Sequence, residues 1–233
     1  MSLTLQQELG ENPDILGEVV SEEKTLSIFN LIMDGGIGGQ IIIAILFVLL
    51  LITFYIYIER FLAIKAAAKI DKNYMNQIKD KIQGGNIEAA KILSQSNKTP
   101  VARLIEKGIS RIGKPLDDIN TAIENAGKLE IYKLERNVSV LATIAGAAPM
   151  IGFLGTVIGM IIAIHEIANA GGQIDIKMLS DGLYTAMTTT VAGLIVGIIS
   201  YIAYNHIIVR TNKVVYQMEA NSLEFLDLLN EPI

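Results

Sequence analysis

The sequence predicts an all-α membrane protein with three transmembrane helices and long cytoplasmic helical extensions, its N-terminus outside and its C-terminus in the cytoplasm. Three observations carry that prediction. Residues 35–58, 137–165 and 182–209 contain no Asp, Glu, Lys or Arg, and each run exceeds the roughly 20 residues that cross about 30 Å of hydrocarbon. The chain is 51% hydrophobic and 18% charged, whereas a soluble domain carries roughly a quarter charged residues. Finally, residues 59–136 hold fifteen of the nineteen Lys and Arg residues. Basic loops stay on the cytoplasmic side, which sets the orientation.

Taken in order, residues 1–36 form an outer N-terminal segment. It holds seven acidic residues and one Lys, with no basic stretch ahead of an apolar core. This is not the pattern of a cleaved signal peptide, and the first span is expected to act as the insertion signal. Ser21 followed by Glu22 and Glu23 reads as a helix start. Leu26, Phe29, Ile32 and Met33 then follow helical spacing, as in a helix lying at the membrane surface. Asp34-Gly35-Gly36 ends it.

The first transmembrane helix covers 37–64, with Tyr55 and Tyr57 near its inner end as interfacial anchors. Residues 65–136 are expected to form a cytoplasmic helical domain, broken at Gly84-Gly85-Asn86, Lys98-Thr99-Pro100 and Gly113-Lys114-Pro115. Its ten acidic residues beside the fifteen basic ones describe a solvated helical surface rather than a nucleic-acid footprint. Pro115 suits a first helical turn, with Asp117 and Asp118 behind it. The pattern runs on through Ile119, Ile123, Ala126, Leu129 and Leu134 with Gly127 the sole breaker, which predicts one helix projecting from the cytoplasm into the membrane.

The second span covers 137–165, an outer loop 166–181, the third span 182–209 and a cytoplasmic C-terminal helix 210–233. In that last helix Val215, Met218, Phe225, Leu226 and Leu229 keep a helical period. Neither a strand pattern nor an internal repeat is present.

Chemistry-bearing clusters are missing. The chain has no Cys and only two His, His165 and His206, which fall near opposite membrane faces. That excludes a clustered metal site. No nucleophile triad or phosphate loop occurs, so neither an enzyme nor a cofactor is expected. The spans also lack a charged side chain at depth. Ion-coupled machines normally carry one, so a partner must supply it if this chain handles ions.

Small and hydroxylated residues are what the spans do carry. Ala145, Ala148, Gly152, Thr156, Gly159 and Ala163 follow spacings of three and four and share one helix face. On the third span Ala186, Thr190, Gly193 and Gly197 do the same, with Thr189 alongside. Such faces suit close helix contact or the wall of a pore. Thr156 lies eight residues from the outer end of its span and Thr190 eight from the outer end of its own. Both therefore sit roughly 12 Å deep. Membrane threonines also bond their own helix one turn back, and the sequence leaves both readings open. Pro149 frees a backbone carbonyl within the second span.

The run Ala147-Ala148-Pro149-Met150-Ile151-Gly152-Phe153-Leu154-Gly155-Thr156-Val157-Ile158-Gly159-Met160 closely resembles the second-span signature of the ExbB/TolQ proteins, relatives of MotA. Thr190-Val191-Ala192-Gly193-Leu194 is similar to their third-span motif, and Tyr204-Asn205 to the pair after it. Lys133-Leu134-Glu135-Arg136, Gly85-Asn86-Ile87-Glu88-Ala89-Ala90 and Pro100 also fit. The likeness covers about residues 30–210.

It implies a bacterial inner-membrane homopentamer, in contact with membrane lipids, whose second and third spans line a central pore. The pore would hold a single-span ExbD/TolR-like partner bearing a proton-binding Asp, and a TonB-like protein would receive the motion. Thr156 and Thr190 match the family's pore-facing threonines. Ala145, Ala148, Gly152, Gly159, Ala163, Ala186, Gly193 and Gly197 would then pack against partner helices. The implied function is a stator-like subunit that uses proton-motive force to energise transport across the outer membrane. A TolQ-like role in envelope maintenance and a passive scaffold without ion coupling are the alternatives. Where many relatives carry a Glu five positions before the third-span threonine, this chain has Thr185. Three spans rather than four favour the ExbB/TolQ branch over MotA.

Overall fold

A computed structural model describes residues 37–69, 71, 73–169 and 176–230, without the side chains of 37, 176–179 and 181. The expected surface helix near residues 21–33 and residues 170–175 of the outer loop lie outside these residues. Helix α1 spans Ile37–Ala67. Four shorter helices follow: α2 Tyr74–Gln83, α3 Ile87–Ser96, α4 Pro100–Ile109 and α5 Leu116–Glu135. The long helices α6, Val138–Asn169, and α7, Ile176–Asn230, complete the order. Among the described residues there is no strand.

Three of these helices are long and apolar enough to cross a membrane, over Gly38–Ala67, Val138–Asn169 and Gly182–Asn230. Their outward surfaces carry large apolar side chains such as Phe47, Leu51, Phe54, Phe153, Ile161 and Ile202, all well exposed. In water such a surface would be a liability, whereas in lipid it is the favourable state. α7 is unbroken over 55 residues, about 80 Å at 1.5 Å per residue. It therefore runs far past the bilayer and forms the spine of the polar half.

Local sequence chemistry accounts for the breaks in that half. Gly85 and Gly113 adopt φ of 73° and 94°, a left-handed backbone that glycine adopts at no steric cost. Asn86 caps α3 by accepting from the Ala89 amide at 3.0 Å. Thr99 caps α4 by accepting from Ala102, with Pro100 in the first turn. Pro115 stands at the cap position of α5, one residue ahead of the first turn that the sequence suggested for it.

α2 to α5 wrap the free end of α7 around a core that includes Ile78, Ile105, Ile123, Met218 and Phe225. Phe225 is fully buried. It fits because Gly108 has no side chain: a Cβ there would lie 2.5 Å from the Phe225 ring and 2.9 Å from Ile123. Losing such a ring from a core costs about 3–5 kcal/mol.

One expectation is corrected. A single helix does not run from the polar half into the second span. α5 ends at Glu135 and α6 starts at Val138, with Asn137 between them at φ 60°. Asn tolerates this left-handed conformation better than most residues, so the chain turns there without Gly or Pro. Arg60, buried at the end of α1, donates to the Lys133 carbonyl at 3.0 Å. It thereby satisfies an acceptor that the last turn of α5 leaves without a helical partner. Arg60 also pairs with Glu59.

Tyr57 departs from the anchoring role suggested for it. Its hydroxyl meets His206 Nδ1 at 2.8 Å, while His206 Nε2 accepts from Arg210 Nε at 2.9 Å. An arginine Nε–H only donates, so the imidazole is neutral, protonated on Nδ1 and donating to Tyr57. Arg210 lies 4.7 Å over the Phe61 ring. This cluster ties α1 to α7 where both leave the apolar region.

Candidate functional site: a paired-threonine face on two close-packed spans

α6 and α7 approach so closely that backbone meets backbone. A Cβ on Gly193 would stand 2.6 Å from the Ala148 carbonyl and 2.9 Å from the Gly152 Cα. One on Gly152 would stand 2.8 Å from the Thr189 carbonyl. Gly159 faces Ala186 and Gly182, and a Cβ on Gly182 would lie 2.7 Å from the Ala163 Cβ. A Cβ on Gly197 would lie 2.7 Å from the Pro149 ring and 3.2 Å from the Ala145 carbonyl. That carbonyl is the one Pro149 deprives of its helical donor.

Ala145, Ala148, Gly152, Gly159, Ala163, Ala186, Gly193 and Gly197 thus meet within one chain. The face expected against partner helices is, in the single chain, filled by the other span of the same chain. Periodicity defines a close-contact face but does not name what covers it.

Thr156 and Thr190 stand at the rim of this contact, both half-buried. Their hydroxyls bond each other, and neither takes the backbone carbonyl one turn back on its own helix. Thr156 Oγ1 also stands 3.1 Å from the Ala186 carbonyl and Thr190 Oγ1 3.2 Å from the Gly152 carbonyl, and with one proton each the two hydroxyls donate in two of these three bonds at a time. Thr143 and Thr188 do bond their own helices. The equal depth read from the sequence is therefore realised as a cross-helix bond.

α1 covers only one side of the α6–α7 pair. Ile42, Leu46, Leu49 and Leu50 pack on Ile144, Ala148, Ile151, Ile158, Ala192 and Val196. Thr156 is two residues from Ile158 and Thr190 two from Ala192, about 160° around each helix. The threonine pair therefore lies on the side that α1 leaves open. Toward the α5 end, the same side carries an apolar groove of about 410 Å³ lined by Ala142, Gly146, Pro149, Leu194, Gly197 and Tyr201. Thr185 sits elsewhere, packed toward α1 at Gly39.

Two hydroxyl contacts escaped the sequence reading. Thr53 meets Ser200 at 2.8 Å and also donates to the Leu49 carbonyl at 3.0 Å, both side chains fully buried between α1 and α7. Thr189, also fully buried, donates to the Ala186 carbonyl at 2.8 Å. Their signal was a hydroxyl in an otherwise apolar run; Ser200 lies 147 residues from Thr53, while Thr189 bonds a carbonyl only three residues back. Among the described residues no group of three His, Asp or Glu could hold a metal ion.

Three membrane-length helices, two of them joined through glycine contacts and a threonine pair, define an integral membrane protein built around helix–helix contact. Residues 96–220 match the MotA/TolQ/ExbB proton channel family, and the chain belongs to it. The family is one of proton channels rather than enzymes, and its ExbB and TolQ members are inner-membrane proteins, which places this chain in the same membrane.

The chain is similar to a putative biopolymer transport protein ExbB homolog of Methanothermobacter thermautotrophicus, 29% identical over 137 residues, 59% of this chain and 48% of the relative. It is similar to the biopolymer transport protein ExbB of Aquifex aeolicus, 34% identical over 103 residues, 43% of this chain and 69% of the relative. It also resembles the Tol-Pal system protein TolQ of Haemophilus influenzae, 36% identical over 93 residues and 40% of each chain. The matched part thus spans 48% of the first of these relatives and 40% of TolQ.

Proposed function

We propose that this chain is the scaffold subunit of a proton-motive-force-driven motor of the ExbB–ExbD type, which energises TonB-dependent transport across the outer membrane. Five copies surround a central pore lined by α6 and α7. A single-span ExbD/TolR-like protein bearing an acidic residue occupies the pore, and a TonB-like protein takes up the motion. The N-terminal segment 1–36 and the loop 166–181 face outward. Residues 65–136 and 210–233 lie in the cytoplasm, in keeping with the basic residues of 59–136.

The observation that carries this reading is the cross-bonded Thr156–Thr190 pair on the side of the α6–α7 contact left open by α1. That face offers hydroxyls without fixed charge, which suits an acid carried by another helix. Each charge crossing delivers about 2.3 kcal/mol per 100 mV, so several crossings drive a conformational cycle. Uptake in cells carrying Thr156→Val or Thr190→Val tests it, with an uncoupler as the control. Loss of uptake in both variants, and its collapse with the uncoupler, is expected. Intact potential-dependent uptake in both would end the proton-path role, and uptake indifferent to the uncoupler would leave a passive scaffold.

A TolQ-like role in envelope maintenance is the second reading, supported by the TolQ match at 36% identity over 93 residues. Deleting the gene separates the two. Lost receptor-dependent uptake supports the first, and a leaky envelope with normal uptake supports the second.

A further inference from the structure

The Ala186 carbonyl is offered more protons than it can accept. It takes the helical N–H of Thr190, the Thr189 hydroxyl at 2.8 Å and the Thr156 hydroxyl at 3.1 Å. A carbonyl oxygen has two lone pairs, so the longest of these three bonds is the one displaced. The Gly152 carbonyl takes only its own helical N–H besides the Thr190 hydroxyl. The Thr190 proton thus has an open acceptor, and the Thr156 proton is left to point at Thr190 Oγ1.

We propose that Thr189 is a positioning residue which sets the direction of this hydroxyl chain, Thr156 to Thr190 to the Gly152 carbonyl. Without the Thr189 hydroxyl, Thr156 would take the Ala186 carbonyl, and the Thr156–Thr190 bond would require Thr190 to turn back and give up Gly152. Thr189 is held for this task by Gly155. A Cβ at Gly155 would lie 2.7 Å from the Thr189 Cβ and press on its hydroxyl, so this site admits a threonine only opposite a glycine. The functional consequence rests on the proposed pore reading; the direction of the bonds does not.

Two variants test it. Thr189→Val keeps the shape and removes the hydroxyl, while Thr189→Ser keeps the hydroxyl. Solid-state NMR of the threonine-labelled full chain in lipid reads the bonds directly. The Thr156 hydroxyl proton should correlate with Thr190 in the native and Ser proteins, and with the Ala186 carbonyl in the Val protein. An unchanged correlation in Thr189→Val overturns the inference, whatever the activity. In cells, Thr189→Val should lower potential-dependent uptake by on the order of threefold to tenfold, the weight of one hydrogen bond. Thr189→Ser should restore it. Failure of Ser to restore would assign Thr189 to packing alone. If Thr156→Val itself leaves uptake intact, the pore reading falls and the NMR correlation still decides the direction of the chain.

Discussion

Thr156 and Thr190 meet hydroxyl to hydroxyl across two helices, each also reaching a backbone carbonyl of the other helix. A threonine in lipid normally closes on its own helix, where an acceptor is always at hand. Here the close glycine contact between α6 and α7 brings a second set of carbonyls into range, and both hydroxyls cross over. Close packing and polar pairing are thus one feature: Gly152 and Gly193 set the spacing at which the threonines can meet.

The glycines give a paired prediction. At Gly193 even a methyl would press on the Ala148 carbonyl and the Gly152 backbone, neither of which can step aside without separating the spans. Gly193→Ala should destabilise by about 1–3 kcal/mol, the usual range for overpacking. Gly146, on the same pair of helices, has no atom within 4 Å of a placed Cβ. Gly146→Ala should be neutral or stabilise by up to about 1 kcal/mol through helix propensity. Unfolding of both variants in mixed detergent micelles measures the contrast. Equal effects at the two sites would contradict the close contact.

Tyr74 should make the protein sensitive to alkali. Burial, and after it the negative charge of Glu106, push its phenol well above the ordinary value. The folded state then keeps this proton above pH 10, where the unfolded chain releases it. The folded state binds more protons there, so stability falls as pH rises, by at most about 1.4 kcal/mol per pH unit. Below pH 10 the group has no effect on the slope. Its hydroxyl is buried without a hydrogen-bond partner, so Tyr74→Phe should cost little near pH 7 and should flatten the alkaline limb of a stability–pH curve.

How much of this was legible beforehand follows from what each signal encodes. The spans were, because uncharged length alone defines them. The equal depth of Thr156 and Thr190 was too, because helical rise turns residue count into distance. The Asn137 turn was not: one left-handed residue without Gly or Pro nearby leaves the hydrophobic period of α5 and α6 undisturbed. Tyr57 read as an anchor because its partner, His206, lies 149 residues away. The small-residue stripe had the right chemistry, and its nearest neighbour proved to be α7 of the same chain.

Glu130 should show cooperative loss. Its side chain is 7% exposed and pairs with Arg103 at 2.7 Å and Lys133 at 2.6 Å, whose own side chains are 45% and 61% exposed. Removing one cation leaves the carboxylate paired to the other, so Arg103→Ala or Lys133→Ala alone should cost about 1 kcal/mol or less. Removing both strands a buried charge, which costs about 3–5 kcal/mol. The double variant should therefore lose more than the sum of the singles in thermal unfolding of the full chain. Simple additivity would mean that water reaches Glu130.

The Thr53–Ser200 pair should be asymmetric. Both hydroxyls are buried where α1 crosses α7, and Thr53 already donates to the Leu49 carbonyl. Its single proton is spent there, so Ser200 must be the donor between the two. Ser200→Ala then leaves Thr53 with a satisfied donor and an acceptor that needs nothing, and should cost only a few tenths of a kcal/mol beyond the lost atom. Thr53→Val removes the acceptor and leaves the Ser200 proton to find a carbonyl on its own helix. It should cost about 0.6–2 kcal/mol, the range for interhelical hydrogen bonds in membranes. A double-mutant cycle read by unfolding in micelles gives both numbers. A larger loss from Ser200→Ala than from Thr53→Val would reverse the donor assignment and place the Thr53 proton on Ser200.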